Sequence, residues 1–303
     1  MPFALPAVSL VAVPGRRRAT LDAAREYDKR GYAGIFAPSM FGNMQLCEAV
    51  AHVTERIVFA TSIAPIYMRT VGDFAQSAAF MHEISGGRFR LGIGVSHEPS
   101  HKRMGVTVGK PLADTRSFVE RYRAQEGLGT LAPVILATLR QQMIKLAGEI
   151  GDGLVFANGS RSHMTASLAA LPEAKRRDTN FFIGNMVPTC ITDDIQAARA
   201  VHRRTLTHYA TLPNYRNYWK EAGYVEEMEA VEKAIAEGRR DDIARYLTDR
   251  WLDDCTLSGS ATRVRDGVDA WRGAGIHTPI IVPSSAAGNQ LKAIEETLAA
   301  FKD

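Results

Sequence analysis

Short, mostly apolar runs of β type alternate along the chain with segments whose apolar residues recur every three to four positions. The runs are Pro6–Val13, Gly34–Ala37, Ile57–Ile63, Phe89–Val95, Pro133–Thr138, Gly153–Ala157, Asn180–Ile191 and Thr278–Val282. Strands that are near-continuously apolar are expected where a parallel sheet is covered on both faces. The segments between them predict helices. Thr20–Arg30 has Thr20 as a candidate N-cap and Gly31 as its stop. Val71–Ile84 carries Phe74, Ala78 and Met81 on one face, and Gln141–Ile150 carries Met143, Leu146, Ala147 and Ile150. A further helix is expected near Pro111–Gln125.

Eight strand–helix units predict the α/β class and a (β/α)8 TIM barrel, where six would suggest a doubly wound sheet. The stretch Thr192–His277 is longer than one crossover needs. It reads as a helical insertion at about 192–254, between the seventh and eighth strands, with helices over Asp193–Tyr209, Asn214–Glu237 and Arg239–Leu247. Tyr224, Met228, Val231 and Ile235 keep helical spacing within it. No internal repeat or low-complexity linker interrupts the pattern, so residues 1–303 are expected to form one domain.

Composition narrows this picture. The 303 residues are 46% hydrophobic with a net charge of +4, which argues against a disordered polyelectrolyte and is too small to imply nucleic acid. Cys47, Cys190 and Cys255 are far apart, with no Cys-x-x-Cys, so three buried thiols are expected in place of a disulfide framework or zinc ribbon. The apolar residues 2–14 precede Arg16-Arg17-Arg18, the reverse of a secretory signal. The uncharged run Gly31–Cys47 is broken by Pro38, Gly42 and Asn43, a poor membrane span. A soluble cytoplasmic protein without a membrane or nucleic-acid partner is the expectation.

In barrels of this class the active site is built at the C-terminal strand ends. These ends are Pro38-Ser39-Met40-Phe41, Thr61 to Pro65, Gly94 to Glu98, Thr138-Leu139-Arg140, Asn158-Gly159-Ser160 and Pro188-Thr189. Acids and nucleophile–base pairs are scarce among them, which favours chemistry done by a bound cofactor. The passage from Leu136 to Gln141 leads from strand to helix. The N–H groups of that helix start, with Arg140, could take a phosphate, although many strand-to-helix turns look alike. His97 and His101 have the spacing of a helical metal pair, but Pro99 between them argues against that helix and no metal is expected. His97 directly follows a strand, as a substrate-facing or a pocket-shaping residue. Gly92-Ile93-Gly94 lacks the third glycine of a dinucleotide fingerprint, and Ser85-Gly86-Gly87-Arg88 is most simply a helix stop and turn.

Three blocks carry a family likeness: Gly31 to Phe36; Ala60 to Pro65 followed by Arg69; and Ile84-Ser85-Gly86-Gly87-Arg88 running through Phe89 to His97. Together with Pro133–Gly153, Leu257-Ser258-Gly259-Ser260 and Gly275–Pro283, they make the chain resemble the luciferase-like flavin and deazaflavin oxidoreductases. Within that family it looks closest to the branch using coenzyme F420, which includes methylenetetrahydromethanopterin reductase. The resemblance implies a cis peptide at Ser62-Ile63, forming with Ala64 a bulge behind the cofactor ring. It also implies a cofactor phosphate resting on backbone N–H groups at Thr138 and Leu139, beside Arg140, with Val95, Ser96 and His97 along the ring edge. A homodimer through the helices after the second and third strands is implied as well, although the apolar residues of Phe41–Val53 are equally explained by barrel packing.

The chain departs from the family where an acid–His pair commonly follows the second strand, since Ser39 and Met40 stand there. A catalytic Glu common after the fourth strand falls on His97, with Glu98 beside it. His97 is therefore the best acid/base candidate, with Glu98 behind it. The leading expectation is an F420-dependent oxidoreductase acting on a small organic substrate. An FMN-dependent monooxygenase and a non-catalytic flavin-binding relative are the alternatives. Tyr215, Tyr218, Trp219 and Tyr224 are read as packing residues before pocket residues.

Overall fold

The computed structural model describes residues 5–40 and 42–302; Phe41, one of the strand-end residues named above, lies outside them. Its strands are β1 (Ala7–Ser9), β2 (Gly34–Ala37), β3 (Phe59–Thr61), β4 (Ala64–Pro65), β5 (Phe89–Gly94), β6 (Val134–Ala137), β7 (Gly153–Ala157), β8 (Phe182–Ile191), β9 (Leu257–Gly259) and β10 (Thr278–Ser284). The third apolar run is divided into β3 and β4, and β9 is a short extra strand. The remaining strands match the runs one for one and alternate with helices as a (β/α)8 barrel requires.

Contacts group the chain into two compact units. The first holds Met1–Phe156 and Ala169–Gly184. Its ladders are all parallel, β1 with β2, β2 with β3, β3 with β5, β5 with β6 and β6 with β7. β2 is buried along its length, and the Phe59 and Phe89 rings meet at a tilt across neighbouring strands, 5.4 Å apart. β5 packs so closely on β3 that a Cβ on Gly92 would lie 1.9 Å from the Thr61 carbonyl oxygen, which only glycine permits. Helix Val71–Ile84 begins where predicted, the Thr70 hydroxyl accepting from the Asp73 N–H. It ends at Ser85, and Gly86 and Gly87 turn the chain with φ of 65° and 84°.

Three local readings need correction. Thr20 is not an N-cap: the helix begins at Arg17, and the buried Thr20 hydroxyl donates to the Arg16 carbonyl inside it. Pro99 does not prevent a helix, because it sits in the first turn of Glu98–Met104, where a missing N–H costs nothing. The third correction lies in the second unit, which holds Ala157–Leu168 and Asn185–Asp303. There the expected helix 214–237 divides into Pro213–Glu221 and Val225–Ala236 at Gly223, φ 92°.

The second unit pairs the end of β8 with β9 and surrounds them with helices, including Ile195–Ala210, Asp249–Cys255 and Ala261–Gly273. The three cysteines are free and buried, as expected. Among the described residues no helix is long and apolar enough to cross a membrane.

Candidate active site

In the first unit the ladder sets the ends of β2, β3, β5 and β6 side by side, so their following residues form one edge. Between β3 and β4 the Ser62-Ile63 peptide is cis, as the family likeness implies. The Ser62 N–H donates to the Ala37 carbonyl at 2.7 Å, tying this bulge to the end of β2. Asn43 Nδ2 donates to the Ile63 carbonyl at 3.0 Å. The Thr61 hydroxyl donates to the Gly92 carbonyl at 2.7 Å. A Cβ on Gly94 would lie 3.1 Å from Ile63 Cδ1 and 2.9 Å from Ala137 Cβ, so glycine here leaves room for the Ile63 side chain. Ser62 and Ala64 are buried, while Ser39 and Met40 are exposed.

After β5, Val95, Ser96 and His97 are half-buried. Ser96 takes the left-handed conformation, φ 63°, uncommon for a residue with a Cβ, and so turns the chain out of the strand. His97 stands at the N-cap position of helix Glu98–Met104, its carbonyl accepting from Ser100 and His101. Glu98 is exposed and paired with Lys102 at 2.7 Å; the hydrogen bond from Lys102 holds its carboxyl below the usual range. His101 turns back onto the Val95 carbonyl at 2.5 Å and meets the Tyr67 ring edge-on. Tyr67 in turn donates to Asp114 at 2.6 Å. Burial and then the Asp114 carboxylate push the Tyr67 hydroxyl pKa up. His97 is therefore flanked by braced neighbours. Nε2 of His101 is taken up by the Val95 carbonyl, and no group of three or more potential metal ligands occurs among the described residues.

After β6 the Thr138 N–H is already committed, donating to the Val155 carbonyl at 2.9 Å. Its hydroxyl is another matter: Thr138 is 6% exposed and Oγ1 has no hydrogen-bond partner. Leu139 is half-buried and Arg140 exposed at the N-cap of helix Gln141–Ile150. The first bonds into that helix come from Met143 and Ile144 to the Arg140 carbonyl. The N–H groups of Gln141 and Gln142 thus lie at the open helix start, beside Thr138. A buried hydroxyl without a partner, next to a helix N-terminus, suits an anionic oxygen. These residues fit a phosphate-bearing cofactor, through the Thr138 hydroxyl and not its backbone N–H.

The sequence profile of the luciferase-like monooxygenase family matches residues 3–126 and 121–278. The chain belongs to the luciferase-like monooxygenase family. It is 26% identical to a protein of Mycobacterium tuberculosis described as a coenzyme F420-dependent oxidoreductase, over 91% of this chain and 93% of the relative. It is also 26% identical to 5,10-methylenetetrahydromethanopterin reductase of Archaeoglobus fulgidus, over 73% and 75%. The coenzyme F420-dependent tetrahydromethanopterin reductase of Methanopyrus kandleri shares its fold, with a TM-score of 0.76 and 17% identity over 97% of this chain and 98% of that one. This luciferase-like chain is an oxidoreductase.

Sequence reasoning missed Asn43, which it took only as a break in an uncharged run. The Gly42-Asn43 pair just after β2 was the available signal, since an amide there reaches the carbonyl beyond the bulge.

Proposed function

We propose that this protein is a coenzyme F420-dependent oxidoreductase that moves a hydride between the deazaflavin and a small organic substrate. The full-length likeness to an F420-dependent oxidoreductase is the observation that carries this reading. Thr138, Leu139 and Arg140 would hold the coenzyme phosphate, by hydroxyl, backbone N–H and charge respectively. Ser62, Ile63 and Ala64 would back the ring, and Ser39, Val95 and Ser96 would border it. When bound, the coenzyme supplies the carbon that gives or accepts the hydride.

His97 would hold the proton that accompanies the hydride, accepting it in oxidation and returning it in reduction. The Glu98 carboxylate, drawn toward Lys102 in solvent, acts at most on the field around His97. A homodimer belongs to the same reading. Helices Asn43–Val53 and Val71–Ile84 border a groove of 220 Å³ lined by Met44, Gln45, Glu48, Arg69 and Phe80. Phe80 and Ile84 stand exposed beside it at i and i+4.

The test is titration of purified apoprotein with F420 and with FMN, each oxidised and reduced, followed by fluorescence or calorimetry. Tight F420 binding with negligible FMN binding is the expected result. Preference for reduced FMN would overturn it and make oxygen consumption the next assay. A tightly bound cofactor that supports no turnover would favour the non-catalytic alternative.

A further inference from the structure

Helices Arg17–Arg30 and Asn43–Val53 follow the adjacent strands β1 and β2 and pack side by side in the first unit. Between their first two turns lies a groove of about 500 Å³. It shares only Gln45 with the groove against helix Val71–Ile84, and none of the residues assigned to the coenzyme line it. Its size is that of a small-molecule site.

Helical spacing builds the groove. Gly42, Gln45, Leu46 and Ala49 fall at i, i+3, i+4 and i+7, on one face at the start of the second helix. Arg17 and Leu21 fall at i and i+4 on the first. Ala12, between β1 and the first helix, completes the lining. Gly42, Ala49 and Ala12 are too short to bridge the two helices, which leaves the space open. Leu46 and Ala12 are buried, and Leu21 and Ala49 half-buried, so the walls are apolar. Gln45 and Arg17 are exposed at its rim. The Gln45 side chain folds back toward Gly42, with Oε1 3.0 Å from where a Cβ on that glycine would stand. Two acids of the first helix are engaged within it, Asp22 by Arg25 and Glu26 by Arg30. Arg17 has no ion pair among the described residues, and no carboxylate lines the groove.

We propose that this groove binds an organic monocarboxylate, its apolar body against Leu21, Leu46 and Ala49 and its carboxylate on Arg17. The apolar walls remove the body of such a ligand from water. The guanidinium offers a carboxylate two parallel N–H···O bonds and cancels its charge. An ammonium head would meet repulsion, and an uncharged head would leave the guanidinium to water. The site is additional to the coenzyme edge and does not depend on which coenzyme the protein takes.

The test is calorimetric titration of the purified protein with octanoate and with 1-octanol, which share an apolar chain and differ in charge. Octanoate should bind saturably at one site, and 1-octanol about tenfold more weakly. Arg17→Gln, an exposed change, should weaken octanoate about tenfold and leave 1-octanol unaffected. Arg18→Gln, next in sequence and outside the groove, should change neither. Ala49→Trp, confirmed folded by circular dichroism, should fill the groove and abolish binding of both. Equal affinity for the alcohol, or octanoate binding unchanged by Arg17→Gln, would overturn the proposal. So would equal weakening by Arg18→Gln, retained binding in Ala49→Trp, or no binding of octanoate at all.

Discussion

Asp28 and Arg88 hold the same short segment from its two polar sides. The Asp28 carboxylate accepts the N–H groups of Glu55, Arg56 and Ile57 at 2.7 to 3.1 Å. The Arg88 guanidinium donates to the carbonyls of Thr54, Ile57 and Ala51 and to the Thr54 hydroxyl, at 2.8 to 3.2 Å. One residue satisfies the donors and the other the acceptors of the loop that delivers β3. The arginine of the Ser-Gly-Gly-Arg block is thus a structural clamp. Burial opposes the Asp28 charge, but the three backbone N–H groups outweigh it and hold its pKa below the usual range.

Arg88→Met should cost about 3 kcal/mol, since it strands several carbonyls at once. Asp28→Asn should cost about 2 kcal/mol by weakening the N–H side of the clamp. The two losses should not add, because each frees the same loop; the double variant should fall short of their sum by about 1 kcal/mol. Urea unfolding of the four proteins measures all three terms. Full additivity would mean that the two residues act on separate elements.

His202 should make the fold acid-sensitive in a defined window. It is fully buried in helix Ile195–Ala210, bonded through Nε2 to the Leu257 carbonyl at 3.3 Å, with Nδ1 unpartnered. Burial pushes its pKa down to about 4, while the bond to Leu257 opposes the shift. The unfolded chain takes up this proton near pH 6.5, before the folded chain does. Stability is therefore complete above pH 6.5 and falls as the pH drops toward 4, by about 3 kcal/mol at most. His202→Gln should flatten the slope between pH 4 and 6.5 in urea unfolding. An unchanged slope would assign the acid sensitivity elsewhere.

The strands were legible because burial on both faces leaves them few polar positions, and β2 and β7 show this plainly. One helix end was legible from its cap chemistry, the stop at Gly31. Gly223 was hidden because Tyr215 and Trp219 before the break and Tyr224, Met228 and Val231 after it each keep helical spacing, all of them buried. The edge of the site was legible from strand order. Its hydrogen bonding was not: whether Thr138 offers its N–H or its hydroxyl depends on Val155, a strand away in the ladder and 17 positions along the chain.

Thr138→Val separates a ligand-binding hydroxyl from a packing one. Valine keeps the shape and removes a buried oxygen without a partner. The apoprotein should melt at the same temperature or slightly higher. Coenzyme affinity should fall about tenfold, the worth of one hydrogen bond to an anionic oxygen. Unchanged affinity by calorimetry would remove Thr138 from the phosphate site.

Phe80→Glu with Ile84→Glu should split a homodimer. Both side chains are large, apolar and exposed on one face of helix Val71–Ile84, at 49% and 38%. Two buried carboxylates facing their symmetry mates would be strongly unfavourable. Sedimentation should show the mass halved with the secondary structure retained. If the wild-type chain already sediments at 33.2 kDa, this face serves something else.

His97 and Glu98 make the last comparison, because they are adjacent in sequence and differ in surroundings. His97 is half-buried behind the left-handed turn at Ser96, while Glu98 lies in water against Lys102. An exposed ion pair of this kind contributes little to stability or to the field at a neighbour. His97→Gln should therefore lower kcat by about a hundredfold, the usual worth of a positioned acid or base, with coenzyme affinity retained. Glu98→Gln should change kcat less than threefold. The reverse ranking, with Glu98→Gln the damaging change, would move the proton-transfer role one residue along. It would also mean that helix Glu98–Met104 turns when substrate binds, bringing the carboxylate in from solvent.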